Sequence, residues 1–311
     1  MISNNKILYA NFVRELNSAY ANGLNVMHTA ENYINIHNIS DSNYRRLAGL
    51  IAYDLQAGTY VEWAEANENF VDIWGKQIAY YIKKYFHDVV SIMEVGVGEA
   101  TTLASVATNM GSEYKFYGFD QSLSRIICAR DWCTRRNINA NFFIADLMNI
   151  PVENESVDLV YSSHSLEPNR DFEENIIEEL LRVAKYGVIL IEPIYELATP
   201  EAQKRMDYHR YVKGLHEICS HFDVSIMDYK LLDIFQNHLN PSGVIVLKKN
   251  KLSKNKSESI EWRCPITSAR LDVHSEYFSS KEVGLIYPLV EGVPLLQVDY
   301  AVRASILLNR S

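Results

Sequence analysis

Apolar positions along this 311-residue chain change their period twice, and the changes divide it into a helical opening, an alternating middle and a short-stranded tail. Through residues 1–75 they recur at helical spacing, at Ile7, Phe12, Val13 and Leu16 and again at Tyr44, Leu47, Leu50 and Ile51, which predicts a cap of amphipathic helices. From residue 76 to 250 apolar runs alternate with helix-compatible stretches. The runs are Val89–Val95, Tyr114–Phe119, Asn141–Ala145, Val157–Tyr161, Val188–Ile191 and Val244–Lys248. Between them Ala100–Met110 reads as a helix that Gly111 ends, and Pro200–Ser220 reads as another. This alternation predicts an α/β fold built on a doubly wound sheet. Residues 251–311 return to short β-like runs and turns, a small β-rich module.

The first run of the middle region passes into Glu94-Val95-Gly96-Val97-Gly98-Glu99-Ala100. After a strand, the first glycine permits a tight turn, and the second removes the side chain that would hold a ligand away from the helix N-terminus. Thr101 stands where the dinucleotide pattern has its third glycine. Carboxylates at Glu94 and Glu99 would repel a pyrophosphate, whereas S-adenosylmethionine brings a sulfonium and an ammonium group. Other candidates gather at the C-terminal ends of later strands, where open α/β sheets bind ligands. Asp120, followed by Gln121, is placed to accept ribose hydroxyls, and would serve NAD equally. Asp146 is placed to accept from an adenine amino group, with Leu147 packing on the ring. The fourth run enters Ser162-Ser163-His164-Ser165-Leu166-Glu167-Pro168, and the fifth ends in Glu192-Pro193.

A formal net charge of -9 opposes unspecific attraction to phosphate backbones, so nucleic acid is not expected as a partner. The dense basic run, Lys248, Lys249, Lys251, Lys254 and Lys256, reads as a solvated linker. With 48% hydrophobic residues the chain has material for a substantial core. No stretch reaches the length of a membrane span, and Met1 to Lys6 lacks the pattern of a signal peptide, so a cytoplasmic location is expected. Cys128, Cys133, Cys219 and Cys264 form no C-x-x-C pair, so reduced thiols and no metal are expected.

On E-V-G-V-G, Asp120, A-D-L at Ala145–Leu147 and S-H-S-L-E at Ser163–Glu167, the stretch from about Phe70 to Lys249 resembles the class I S-adenosylmethionine-dependent methyltransferases. The resemblance implies a Rossmann-like sheet of seven strands. It would set the methionine part of the donor against Glu94, Gly96 and Gly98, the ribose on Asp120 and Gln121, and the adenine on Asp146 and Leu147, with Ser163 near the donor. His164 would face the methyl group or the acceptor. Pro168 replaces the histidine many members carry after S-H-x-L-E, so the next helix is expected to start differently. Tyr53 to Val61 resembles the segment that lies over the donor in some small-molecule methyltransferases, where Tyr53, Gln56 and Tyr60 would reach it. The alternative is an ordinary helix end with Gly58 as its C-cap and the tyrosines packed in a core.

Candidate acceptor contacts are Glu167, Glu192, Tyr208, His209 and Tyr211, with His209 and His216 expected on one face of the helix at 200–220. His164, of a residue type whose pKa lies near about 6.5, is the candidate general base. In the tail, Cys264-Pro265-Ile266-Thr267 and the Tyr287-Pro288 step resemble the zinc-ribbon-like methyltransferase activators. Thr267 takes the place of the second ligand, and Ser280 and Val283 fall where a later pair would stand, so a metal-free relative is expected. The function expected is methylation of a small polar metabolite, on oxygen of a sugar or phosphorylated intermediate in surface-polysaccharide assembly. An NAD-dependent oxidoreductase and a noncatalytic cofactor-binding regulatory partner are the alternatives, and a homo-oligomer stays open.

Overall fold

The computed structural model describes residues 2–40, 43–251 and 260–309. Its first three helices, α1 (Ile2–Ala21), α2 (Val26–Ile36) and α3 (Asn43–Leu55), close around a core of their own that includes Phe12, Leu16, Val26, Ala30, Tyr33 and Ala48. Phe12 and Leu16, one turn apart, form the inward stripe of α1. Asn25 caps α2 by accepting the His28 amide at 2.9 Å. α4 (Thr59–Ala66) and α5 (Glu68–Tyr85) belong to the next layer, because Val61, Trp74, Ile78 and Ile82 join the core against the sheet. α5 runs through residue 75, so the cap and the sheet domain share this helix.

Seven strands form one sheet in the order β3-β2-β1-β4-β5-β7-β6. They are β1 (Ser91–Val95), β2 (Lys115–Asp120), β3 (Ala140–Ile144), β4 (Val157–Ser163), β5 (Ala184–Pro193), β6 (Val224–Leu231) and β7 (Ser242–Lys249). The first five are parallel and β7 lies antiparallel between β5 and β6. The helices α6 (Thr101–Met110), α7 (Leu123–Arg135) and α8 (Glu173–Val183) link the parallel strands. In β5, Ile189 and Ile191 join one core while Val188 and Leu190 join the other, the period of two that pleating imposes. With both faces covered, the strand reads as an unbroken apolar run. β6 is the exposed edge, alternates half-buried and exposed residues, and has no such run. Successive strands leave β1 in opposite directions, so a crevice opens above β1 and β4.

Residues 200–220 are not the single helix their pattern predicts. α9 (Pro200–Tyr208) and α10 (Leu215–Cys219) are separated by a turn in which Arg210 and Gly214 adopt φ of 55° and 68°. The helix stops because Val212 leaves it: its amide donates to the Glu167 carbonyl at 3.1 Å and its side chain is buried. This tertiary bond overrides local propensity, and His209 and His216 share no helical face.

The tail forms a small antiparallel sheet from β8 (Asp272–Val273), β9 (Tyr277–Ser280), β10 (Leu285–Val290), β11 (Val293–Pro294) and β12 (Val302–Arg303). It covers the free edge of β3, where Leu295 pairs in parallel with Ile144 and the Leu296 amide donates to the Ile144 carbonyl at 2.9 Å. An uncovered edge strand would offer those groups to other chains. Trp262 stands edge-on between Phe143 at 5.0 Å and Phe278 at 5.5 Å. Cys264 is buried with its sulfur 3.3 Å from the Tyr287 hydroxyl. Lys249 pairs with Glu155 at 2.6 Å and Lys251 with Asp223 at 2.9 Å; Lys254, Lys256 and Ser257 lie outside the described residues. Among the described residues no helix is long and apolar enough to cross a membrane.

Replacing Trp262 removes the ring that joins the two sheets. Trp262→Ala is expected to lower stability by roughly 3 kcal/mol, read from the midpoint of urea unfolding.

Candidate functional site

β1 delivers the chain to Gly96 and Gly98, whose φ values are 61° and 52°, a region that glycine enters without a steric penalty. The turn is held by its neighbours on β2. Val97 donates to the Phe119 carbonyl at 2.9 Å, and Asp120 accepts the Gly98 amide at 3.0 Å and the Ser122 amide at 2.9 Å. Burial raises the Asp120 pKa, while these amides, that of Gln121 and the Arg125 charge oppose the rise. A Cβ at Gly96 would lie 2.3 Å from the Ser165 Cβ, so this glycine is a packing requirement between the turn and the loop after β4. A Cβ at Gly98 would instead meet only the Tyr60 ring and Arg125, at 3.6 and 3.7 Å.

The two acidic residues flanking the turn do not select charge as their positions suggest. Glu94 is 2% exposed and accepts the Tyr161 hydroxyl at 2.6 Å. Burial pushes its pKa up to about 8, against the opposing effect of the Tyr161 bond. Glu99 accepts the amides of Gly58 at 3.0 Å and Val61 at 2.8 Å and lies 3.7 Å from Arg125 Nη1. Its charge serves the N-terminus of α4.

The cap segment reaches the turn. The Tyr60 ring, 46% exposed, lies 4.2 Å from the Arg125 guanidinium and Tyr53 lies 5.3 Å from it. Arg125 Nε donates to the Tyr53 carbonyl at 2.8 Å, while Nη2 is buried without a partner. An orphaned donor beside a turn that lacks a side chain fits a polar, nucleotide-like group such as S-adenosylmethionine. Burial, Tyr60 and Glu167 push the Tyr53 pKa up to about 12, which keeps its hydroxyl neutral. Gly58, at φ 100°, starts α4 rather than ending a packed helix, and the half-buried Gln56 gives its carbonyl to Thr59. Asp146 accepts from Arg46 of α3 at 2.7 Å and from the Met148 amide at 3.0 Å. Leu147 is buried in the core on the α8 face.

A hydrogen-bonded chain closes the other side of the crevice. His164, at φ 58°, has Nδ1 2.9 Å from Glu167 Oε2 and Nε2 2.7 Å from Ser242 Oγ. Asn240 Nδ2 donates to the same Glu167 oxygen at 3.1 Å. Burial lowers the His164 pKa, yet the Glu167 bond and charge outweigh it, so the pKa ends above its ordinary value. The Trp74 indole donates to Ser163 Oγ at 3.3 Å and its ring is 5.9 Å from His164. Glu192, expected to touch the acceptor, is fully buried and accepts the amides of Ser165, Leu166 and Glu167 at 3.1–3.3 Å. It holds the loop from below, with a pKa pushed up to about 7 by burial.

Of Tyr208, His209 and Tyr211, Tyr211 feels the charge of this cluster. Its pKa is raised by burial and next by the Glu167 charge, while Arg205, which has an unpartnered buried Nη1, lowers it. Tyr208 is 83% exposed and His209 is exposed, with the His209 ring stacked on that of Tyr211 at 5.4 Å. Ser242, Asn240, Trp74, Arg125 and Arg46 escaped sequence reasoning. Only their distance in sequence from the glycine turn hid them, since nothing local marks a strand's first serine as a histidine partner. Among the described residues no cluster of His, Cys, Asp or Glu is placed to hold a metal ion.

Residues 92–187, from β1 into β5, match a family model described as a methyltransferase domain. No curated protein matches the chain. Magnesium protoporphyrin IX methyltransferase from Synechocystis PCC 6803 with bound SAH is similar in structure, with TM-score 0.51 and 14% identity over 64% of this chain and 99% of that one. A SAM dependent methyltransferase from Aquifex aeolicus is similar with TM-score 0.42 and 13% identity, over 54% of this chain and 87% of that one. So is a chain of the complex between a methyltransferase activator and a putative methyltransferase from Haloferax volcanii, with TM-score 0.47 and 13% identity, over 63% and 98%. Residues 92–187 therefore match a methyltransferase domain, and at such identities the likeness to the solved structures is one of fold.

The two glycines separate folding from binding. Gly96→Ala is expected to lower stability by more than about 2 kcal/mol through the clash with Ser165, whereas Gly98→Ala costs about 1 kcal/mol of backbone strain and weakens S-adenosylhomocysteine binding at least about tenfold in calorimetry. Glu94 supplies a pH test. Its pKa rises from 4.5 to about 8 on folding, so its contribution is complete below about 4.5 and is lost as pH climbs to about 8, at ~1.4 kcal/mol per pH unit. Unfolding of Glu94→Gln followed between pH 5 and 8.5 is expected to lack this decline.

Proposed function

We propose that this methyltransferase domain transfers the methyl group to a hydroxyl oxygen of a small polar metabolite, a sugar or phosphorylated intermediate of the kind consumed in polysaccharide assembly. The observation that carries the reading is the Glu167–His164–Ser242 chain at the mouth of the crevice that Gly96 and Gly98 line. S-adenosylmethionine supplies an electrophilic methyl carbon, so the protein's task is to hold an oxygen in line, exclude water and receive a proton. Gly96, Gly98, Asp120, Asp146, Ser163 and the tyrosines of the cap are the residues assigned to the donor. Tyr60 and Arg125 cover the turn and keep water from it.

His164 is assigned the proton. With Nδ1–H given to Glu167, Nε2 carries the lone pair, and an imidazolium formed there is stabilised by the Glu167 carboxylate. Glu192 orients the loop, and Tyr211 with the unpaired Arg205 nitrogen offers donors to further acceptor oxygens. The apolar docking of the tail on β3 favours a supporting role for that module rather than a catalytic one.

Calorimetry with S-adenosylmethionine and with NAD tests the donor assignment: micromolar binding of the first and none of the second is expected, and exclusive binding of NAD refutes it. His164→Gln is expected to lower kcat about 100-fold or more with donor affinity unchanged. In the unsubstituted protein, activity should rise with pH through a value above the ordinary histidine pKa, because only the neutral ring accepts the proton.

A further inference from the structure

Both nitrogens of His164 are already engaged, one by a carboxylate and the other by a hydroxyl, and the second contact bears on what the site accepts. Ser242 is the first residue of β7, 2% exposed, with its backbone paired to Pro193 of β5 and its carbonyl accepting the Leu232 amide. The main chain at Ser242 is therefore immobile, while its hydroxyl turns about a single bond. Glu167 is fixed in its turn by Asn240, two residues before Ser242. The side chain of His164 keeps 30% of its surface exposed.

We infer that Ser242 is a positioning residue that occupies His164 Nε2 in place of the acceptor, and that the acceptor is a neutral hydroxyl group which displaces the serine from that nitrogen. This rests on the methyl-transfer reading above and narrows its substrate class. With Nδ1–H donated to Glu167, Nε2 has only a lone pair to offer, so the serine O–H is the donor there. An acceptor hydroxyl makes the same bond with the same polarity. An exchange of one such bond for another is nearly neutral in free energy when the displaced serine hydroxyl bonds elsewhere as it turns. On transfer the acceptor O–H bond breaks with its proton going to Nε2, the new carbon–oxygen bond forms, and the carbon–sulfur bond breaks with its electron pair going to sulfur. A carboxylate acceptor has no proton to give and would face Glu167 and Glu192, the two acidic groups nearest the ring. The other groups in contact with His164, Trp74 from α5 and Ser242 from β7, carry no charge, and the Arg205 guanidinium is set against Tyr211.

Ser242→Ala, Ser242→Thr and Glu167→Gln proteins saturated with S-adenosylhomocysteine, labelled with ¹⁵N-histidine, test the inference by NMR titration of the His164 ring. In the unsubstituted protein the neutral ring should carry its proton on Nδ1. Ser242→Ala removes the donor that stabilises the neutral ring, so the His164 acid dissociation constant should fall at least threefold; Ser242→Thr should restore it. Glu167→Gln should raise that constant at least tenfold. Methyl glucoside, used as a neutral hydroxyl probe, should shift Nε2 at lower concentration in Ser242→Ala than in the unsubstituted protein, and acetate should not shift it. An unchanged or larger dissociation constant in Ser242→Ala, a ring protonated on Nε2, or a response to acetate and not to the glucoside overturns the inference. Failure of S-adenosylhomocysteine to bind the unsubstituted protein refutes the methyltransferase reading instead, and the ring's tautomer and titration are then read in the free protein.

Discussion

One buried carboxylate makes the cap and the sheet a single site. Glu99 follows the glycine turn immediately, and its two oxygens receive the Gly58 and Val61 amides at the start of α4. Arg125 approaches the same side chain from α7 and donates to the Tyr53 carbonyl at the end of α3. Without these bonds the first turn of α4 would leave amides unpaired in a buried place, which is costly. With them, Tyr60 has one place to be, over Gly98. The position of the aromatic lid thus follows from the capping of a helix.

The same accounting explains the opposite wall. A loop following a parallel strand ends with unpaired amides, and Glu192 at the end of β5 receives three of them. This draws His164 into a left-handed backbone conformation and aims its ring between Glu167 and Ser242. Val212 completes the loop by donating to the Glu167 carbonyl, which is also what breaks α9. The carboxylates of Glu99, Asp120 and Glu192 act on backbone amides, so they offer a ligand less than their positions in the sequence suggest.

The tail meets a constraint of a different kind. β3 is an edge strand whose second half, Phe142 to Ile144, is apolar and buried, and Trp262, Leu295 and Leu296 close it by ring packing and backbone pairing. The module holds a single cysteine, Cys264, which sits against Tyr287 in an apolar core.

Periodicity and the glycine turn were enough to place the opening helices, five parallel strands and the tight turn after β1, since each is encoded over a few adjacent residues: a stripe on α1, an apolar run at β5, two glycines after β1. The chemical states of Glu94, Glu99 and Glu192 could not be read that way. Each depends on amides, a tyrosine or burial supplied by segments dozens of residues away. The break at Val212 and the partnership of His164 with Ser242 have the same origin. Local order in the chain determined the elements and the turns between them, because backbone conformation is a short-range property. Tertiary structure decided which polar groups remain free to act, because hydrogen-bond satisfaction is settled only when distant segments meet.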